Sequence, residues 1–185
     1  MEITLQADRS EVDLIQACIN NERWAQKYLY EHYYPMMMNV CLRFANCEED
    51  ALDILHEGFI KVFRNIALYN TGTSLAAWVK RIIINTAIDY YRRELRRKTE
   101  DISYASNIGI SDADAISQLN TEEILKALQQ LTVSYRSVFN LYVIEGYSHR
   151  EIAGILGITE STSRSNLVKA RTKLRQILIA TEKQI

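Results

Sequence analysis

The chain of 185 residues contains one proline and six glycines, so the residues that break helices and shape β-turns are scarce. This scarcity counts against a β-sandwich, a barrel or a doubly wound sheet, and apolar residues that recur every three or four positions predict an all-α fold. Cys18, Cys41 and Cys47 are odd in number and lack CxxC spacing. They indicate neither a disulfide framework nor a zinc site, and we expect a reduced, cytoplasmic environment.

Long apolar runs are also missing. None approaches the roughly 20 residues that cross a bilayer, and the N-terminus does not resemble a signal peptide. We therefore expect no direct insertion into a membrane, and any link to one would pass through a partner. Nearly half of the residues are apolar and a quarter are charged, which predicts an ordered globular protein with one core or two small ones.

The net charge of -1 hides an alternation along the chain. Residues 1–60 carry -7, residues 61–98 carry +7, residues 99–147 carry -5 and residues 148–185 carry +4. Basic blocks attract nucleic acid, whereas acidic blocks avoid it and can meet a basic protein. The alternation predicts two nucleic-acid surfaces and at least one acidic surface for a protein partner.

The strongest pattern lies in residues 74–98, which predict one continuous helix with Ser74 as its N-cap. Its buried stripe is predicted to contain Leu75, Trp78, Val79, Ile82, Ile83, Thr86 and Tyr90. A polar row on the opposite side is predicted to contain Arg81, Asn85, Asp89, Arg92 and Arg96. Such a row can hold nucleic acid, although a solvated helix face has the same composition. The loop at residues 66–73 leads into this helix.

A second helix is predicted over residues 46–65, with acidic residues in its first turn. The side chains predicted to project outward are Asp50, Asp53, His56, Glu57 and Lys61. We interpret this surface as an acidic face that binds a protein. The alternative is an acid-base or metal site at Asp53, His56 and Glu57, but a metal-binding helix needs a second histidine one turn on, which is absent here.

The periodicity disappears in residues 99–120, which are rich in Ser, Asp, Asn and Ala and are predicted to form a linker. After it, two helices are predicted over residues 121–133 and 135–145. A helix-turn-helix is predicted next: Ser148 caps a short helix, Gly157 takes a positive φ in the turn, and a long helix starts at Thr159 or Glu160. In this motif the helix after the turn enters the DNA groove. It carries Ser161, Thr162, Arg164, Ser165, Val168 and Lys169.

Three of these stretches, in this order, resemble the sigma-70 family of bacterial transcription initiation factors, most closely the small extracytoplasmic-function type. The polymerase-binding helix of that family is similar to EEDALDILHEGFIKVF, and its promoter-melting and minus-ten helix is similar to LAAWVKRIIINTAIDYYRR. Its minus-thirty-five domain is similar to LTVSYRSVFNLYVIEGYSHREIAGILGITESTSRSNLVKARTKLR. The resemblance implies two small helical domains, region 2 at residues 20–98 and region 4 at residues 121–180. They would follow an N-terminal segment at residues 1–19 and be joined by a flexible linker at residues 99–120.

The resemblance implies a factor that binds core RNA polymerase, directs it to promoter DNA and assists melting, with no catalytic residue, cofactor or metal of its own. The polymerase partners implied are the β′ clamp and the β subunit, and the residues implied to bind the polymerase are Asp50, Asp53, His56 and Glu57. Those implied to hold the minus-ten element are Asn70, Arg81, Asn85, Arg92, Arg93 and Arg96. Those implied to hold the minus-thirty-five element are Arg150, Ser161, Thr162, Arg164, Ser165, Val168, Lys169 and Arg171. An anti-sigma protein is implied as a further partner.

The sequence departs from the family pattern at four positions. His56 stands where glutamine is usual, Ser161 where glycine is frequent, Ser163 where a buried valine is preferred, and Asn166 where arginine is common. The main alternative is a helix-turn-helix transcriptional regulator that is not a polymerase subunit, but its receiver domain would alternate strands and helices where this chain predicts helices. A helical interaction module without DNA function would leave both basic blocks as solvated faces.

Overall fold

A computed structural model describes residues 10–100 and 121–182, with side chains described for residues 10–97 and 123–180. Within these ranges the chain forms eight α-helices and no β-strand, which confirms the all-α prediction. The helices are α1 (Glu11–Ile19), α2 (Arg23–Phe44), α3 (Glu48–Asn65), α4 (Leu75–Glu100), α5 (Thr121–Gln129), α6 (Val133–Phe139), α7 (His149–Leu156) and α8 (Glu160–Glu182). Residues 101–120, most of the predicted linker, lie outside the described part.

Several helix starts are fixed by polar side chains that satisfy free backbone N–H groups. The Ser74 hydroxyl accepts a hydrogen bond from the Ala77 N–H at 3.3 Å, as predicted. Ser148 forms a capping box with Glu151 at the start of α7. Gly157 ends α7 with φ 68°, the left-handed conformation predicted for the turn. The local signals in the sequence therefore located these helix ends correctly.

The chain between α5 and α7 is more broken than its periodicity indicates. The helix predicted over residues 121–133 ends at Gln129, because Thr132 caps a new helix and its hydroxyl accepts from the Tyr135 N–H at 3.4 Å. The helix predicted over residues 135–145 becomes α6 followed by one π-helical segment, Asn140–Ile144. Gly146 then reverses the chain with φ 77°.

Helices α2, α3 and α4 pack around an apolar core, with α1 against α2. Helices α3 and α4 approach closely at Gly58, where an added Cβ would lie 2.4 Å from Cδ1 of the fully buried Ile83. The missing side chain at position 58 lets the two helix surfaces meet. This contact sets the position of the acidic helix relative to the polar row of α4.

Helices α5 to α8 form a second unit, and it packs directly on the first. One apolar cluster runs from α1 through α4 and continues into α6, α7 and α8 through Val133, Val138, Leu141, Ile152, Leu156 and Leu167. A smaller cluster joins α5 to α8. The sequence did not determine how the two units lie relative to each other, and the structure places α6 and α7 against α2 and α4. In residues 10–100 and 121–182, no helix is long and apolar enough to span a membrane.

Candidate nucleic-acid interface

The polar row of α4 lies on the surface. Arg81, Asn85, Arg92 and Arg96 are exposed, whereas Asp89 is half-buried. The opposite stripe enters the core as predicted, since Val79, Ile83 and Thr86 are completely buried. With 26 residues, α4 is about 39 Å long, so the row offers polar contacts over several nucleotides.

The loop before α4 is held in place by Tyr69, which the sequence analysis did not single out. The Tyr69 hydroxyl contacts a carboxylate oxygen of Glu11 at 2.8 Å and the Thr73 carbonyl at 2.5 Å. The Thr73 hydroxyl donates to the Asn70 carbonyl at 2.9 Å, and the Asn70 side chain stays exposed. Leu68 is 77% exposed beside them. The loop thus presents one amide and one apolar side chain from an anchored backbone.

Ion pairs connect the acidic face of α3 to the polar row of α4. Glu57 accepts a hydrogen bond from Nη2 of Arg93 at 2.8 Å and pairs with Lys61 at 3.1 Å, and Lys61 also pairs with Asp89 at 2.9 Å. The hydrogen bond from Arg93 is the main reason why the pKa of the Glu57 carboxyl lies below its usual value. A residue predicted to bind polymerase and one predicted to bind DNA therefore neutralise each other here.

The remaining residues of the acidic face differ in their surroundings. Asp53 and His56 are exposed, and the His56 ring lies 6.3 Å from that of Tyr30. Asp50 is half-buried and accepts a hydrogen bond from the Tyr90 hydroxyl at 2.7 Å. Burial, and then this bond, raises the pKa of Tyr90. Asp53 and His56 can therefore meet a partner directly, whereas Asp50 is engaged with the side of α4.

The helix-turn-helix consists of α7, the Gly157 turn and α8. The Thr159 hydroxyl accepts from the Thr162 N–H at 3.0 Å, so Thr159 is the cap and α8 begins at Glu160. Ile152 and Leu156 are buried. All eight residues predicted for the minus-thirty-five element are exposed, namely Arg150, Ser161, Thr162, Arg164, Ser165, Val168, Lys169 and Arg171. All eight are thus accessible to a partner.

A polar contact lies inside the helix-turn-helix, where the family pattern favours valine. Ser163 is completely buried, and its hydroxyl lies 2.9 Å from Nδ1 of His149. The His149 ring stacks on Tyr142, with ring centroids 4.3 Å apart. Burial, and then the charge of Arg164, lowers the pKa of His149, which favours the neutral ring. Sequence reasoning missed this contact because its partners are far apart in the chain and follow no helical period.

Two family models match the chain. The model of sigma-70 region 2 matches residues 29–97, and that of sigma-70 region 4 matches residues 121–174, so together they account for more than half of the sequence. The first match contains α3, most of α2 and most of α4, and the second contains α7, the Gly157 turn and the first two thirds of α8. Both exposed faces described above therefore lie inside matched regions.

Relatives that match over most of their length are also sigma factors. The chain is 25% identical to the ECF RNA polymerase sigma factor SigM of Mycobacterium tuberculosis, covering 92% of this chain and 86% of the relative. It is 28% identical to the RNA polymerase sigma factor YlaC of Bacillus subtilis, covering 80% and 88%. It is 24% identical to the RNA polymerase sigma-H factor of Pseudomonas aeruginosa, covering 95% and 96%.

Among solved structures, the chain is similar to the sigma factor RpoE crystallised with the anti-sigma factor NepR from Bartonella quintana. The TM-score is 0.49 at 22% identity, and the match covers 82% of this chain and 95% of that one. The two regions match in the order that the family has, and their helices present the expected polar faces. Both findings indicate the same family as the relatives do. The chain belongs to the sigma-70 family of transcription initiation factors and is a sigma factor of the extracytoplasmic-function type.

Proposed function

We propose that this sigma factor binds core RNA polymerase through α3, holds the minus-ten element with α4 and reads the minus-thirty-five element with α8. The observation that carries the proposal is that one chain presents an exposed acidic helix beside an exposed basic one, and a second exposed basic helix as the last helix of a helix-turn-helix. It would act in the cytoplasm and assist promoter melting by binding, with no hydrolytic step of its own.

Binding to polymerase is assigned to the part of α3 that projects from the core. Asp53 and His56 are exposed there, one turn after the exposed acids Glu48 and Glu49. A surface of this charge favours a basic partner, such as a positively charged part of the β′ clamp, and repels DNA. Glu57 contributes through its pair with Arg93, and Lys61 through its pair with Asp89, because both pairs join α3 to the polar row of α4.

Holding the open minus-ten strand is assigned to α4 and the loop before it. Asn85 and Asn70 provide amides that can bind an unstacked base, and Arg81, Arg92 and Arg96 provide cations for phosphates. Each captured base contributes about 1–3 kcal/mol. Because only the melted strand offers these contacts, binding shifts the DNA toward the open form.

Reading of the minus-thirty-five element is assigned to α8. Arg164 is exposed and makes only a long, exposed ion pair with Glu160, at 3.7 Å. A pair of this kind contributes little to stability, so the guanidinium is available for the base edges of the major groove. Arg150 and Arg171 would hold the phosphates on either side.

A further partner of the proposed function is an anti-sigma protein. The relative whose structure was compared is crystallised with such a protein. The exposed acidic face of α3 and the basic rows of α4 and α8 are surfaces that an inhibitor of this sigma factor would cover.

Transcription reconstituted from core polymerase and this chain tests the proposal. We expect initiation at defined start sites, and we expect Asp53→Ala to weaken polymerase binding more than duplex binding by the isolated chain. Glu31→Ala, which removes an exposed acid from α2, is the matched control. An unchanged polymerase affinity for Asp53→Ala would remove the assignment of α3, and absence of any defined start would contradict the whole proposal.

The alternative of a helix-turn-helix regulator outside the polymerase is not favoured. Such a regulator leaves the region 2 match over residues 29–97 without a role. It predicts specific DNA binding in the absence of polymerase, and no association with core enzyme.

A further inference from the structure

Glu11 places a carboxylate beside the loop that is proposed to meet DNA. It is the first residue of α1, and α1 packs against Ile66–Leu68 at the start of that loop. One of its oxygens lies 2.8 Å from the hydroxyl of Tyr69. A negative charge repels phosphates, so its presence here needs an explanation other than attraction to DNA. Neither family match includes Glu11, since the first begins at residue 29.

The Tyr69 hydroxyl closes the loop from the inside. Its ring is buried and packs on Trp78 of α4, with ring centroids 5.5 Å apart. The hydroxyl also lies 2.5 Å from the Thr73 carbonyl, four residues further along the chain. Thr73 in turn donates to the Asn70 carbonyl, from its N–H at 3.2 Å and from its hydroxyl at 2.9 Å. Tyr69 therefore fixes the turn on both sides.

The anchored tyrosine also decides where its neighbours lie. The backbone of Tyr69 is extended, with φ -69° and ψ 129°. Side chains alternate in direction along an extended segment, so an inward Tyr69 turns residues 68 and 70 outward. Leu68 is 77% exposed and Asn70 is exposed, as this geometry requires. The two side chains that the loop offers to an unstacked base are thus set by the residue between them.

We propose that Glu11 and Tyr69 are positioning residues for capture of the minus-ten strand, and that α1 is the support that fixes the loop before DNA arrives. This inference rests on the proposed function and deepens it. Neither residue touches the base itself. Both act through Leu68 and Asn70, which Tyr69 directs outward.

A loop that is fixed in advance binds a base more tightly. Each backbone residue that must be ordered during binding weakens the complex by about fivefold to thirtyfold. The apparent affinity also falls in proportion to the fraction of molecules in the competent conformation. Here the contacts of Tyr69 and Thr73 already close the loop in the free protein. The loop is therefore ordered when the chain folds, and not when the strand binds.

The chemistry of the contact defines informative variants. A phenol has one hydrogen to donate, whereas the Glu11 carboxylate and the Thr73 carbonyl both accept, so the two acceptors share it. Tyr69→Phe keeps the ring on Trp78 and removes both contacts. Glu11→Ala removes one of them. Glu11→Gln keeps a partner for the Tyr69 hydroxyl, because an amide side chain both donates and accepts.

Binding of single-stranded DNA by the holoenzyme tests the anchor. Core polymerase is combined with the full chain, and the probe is the non-template minus-ten strand of a promoter whose start site this holoenzyme selects. We expect Tyr69→Phe to weaken strand binding by about twofold to tenfold, the effect of one or two hydrogen bonds. Glu11→Ala should weaken it by about twofold to fivefold, and Glu11→Gln by less than about twofold.

A series of abasic strands separates positioning from a general loss of structure. Each strand lacks one base of the minus-ten element. The loss caused by Tyr69→Phe should vanish on the strand that lacks the base held by the loop, and it should persist on the others. Asp13→Ala is the matched control, because it removes another acid from the first turn of α1 whose side chain bonds to Ser10. It should leave strand binding unchanged.

The direction of the Glu11 effect separates anchoring from electrostatics. Loss of a negative charge alone would tighten strand binding, and it would do so equally for Glu11→Ala and Glu11→Gln. Hydrogen exchange of the Thr73 N–H in the free protein reports the order of the loop without polymerase or DNA. Tyr69→Phe should accelerate this exchange, while circular dichroism shows that the helices remain.

Several results would overturn the inference. They are unchanged strand binding by Tyr69→Phe, an equal loss on every abasic strand, tighter binding by both Glu11 variants, or unchanged exchange at Thr73. Each of these requires a wild-type holoenzyme that binds the strand or a free protein that is folded. A folded wild-type chain whose holoenzyme binds no minus-ten strand would instead overturn the proposed function, and the inference with it.

Discussion

Replacement of Gly58 by alanine tests how closely helices α3 and α4 must pack. The new Cβ would lie 2.4 Å from Cδ1 of Ile83, far inside van der Waals contact, and Ile83 is completely buried. Relief requires a shift of the Ile83 side chain or of helix α3. Overpacking of this kind costs about 1–3 kcal/mol. Alanine also gains about 1 kcal/mol over glycine within a helix, so the expected net loss is about 0–2 kcal/mol.

The change Ile83→Val removes the atom that clashes. The nearest remaining side-chain atom of residue 83, Cγ1, is 3.6 Å from the new Cβ, which is an ordinary contact. Alone, Ile83→Val should cost about 0.5–1.5 kcal/mol. In its presence, Gly58→Ala should become stabilising by about 1 kcal/mol, because only the helix-propensity gain is left. The coupling energy between the two changes is therefore about 1–3 kcal/mol.

Urea unfolding of the four proteins, followed by far-UV circular dichroism, measures this coupling. Gly154→Ala on α7 is the control, because no atom lies within 4 Å of its added Cβ. It should stabilise the protein by about 0.5–1 kcal/mol in either background. Equal effects of Gly58→Ala with isoleucine and with valine at position 83 would refute the close approach of α3 and α4.

Three further results are expected. Arg93→Gln should raise the pKa of the Glu57 carboxyl, followed by NMR titration: the lowered pKa stabilises the fold above the unfolded value of about 4.3, and this contribution is lost as pH falls through the folded pKa. If Arg93→Gln left the pKa of Glu57 unchanged, the ion pair between Glu57 and Arg93 would be absent in solution. A thiol reagent at mildly alkaline pH should modify Cys47 alone, since burial raises the pKa of the two other thiols to about 11 and about 12; rapid modification of all three would contradict the packing. Arg164→Ala should relax base preference in the minus-thirty-five element by about 1–3 kcal/mol in binding measurements on altered promoters, whereas equal losses on all sequences would make it a phosphate contact.

Patterns local in the sequence predicted the helices and the exposed faces. The buried stripe of α4 follows from its three-and-four spacing, and the structure buries Val79 and Ile83 while Arg81 and Asn85 stay exposed. Ser148 and Gly157 marked the ends of α7 because capping and positive φ are properties of single residues. Periodicity predicted two successive helices after the linker, but it placed the break between them at residue 134, whereas the Thr132 cap starts α6 at Val133.

The amino-acid sequence by itself determined the helical fold, the order of the two regions and the polar side chains that stay exposed on α4 and α8. Each of these depends on residues within a few turns of one another, where helical geometry fixes which side chains share a face. Only the tertiary structure decided the pairing of Glu57 with Arg93 and the contact between the Ser163 hydroxyl and His149. The same holds for the burial of Glu145 between Arg43 and Lys80. These contacts join side chains from different segments of the chain. Packing and charge in three dimensions select the partners, and such contacts leave no periodic pattern in a single sequence.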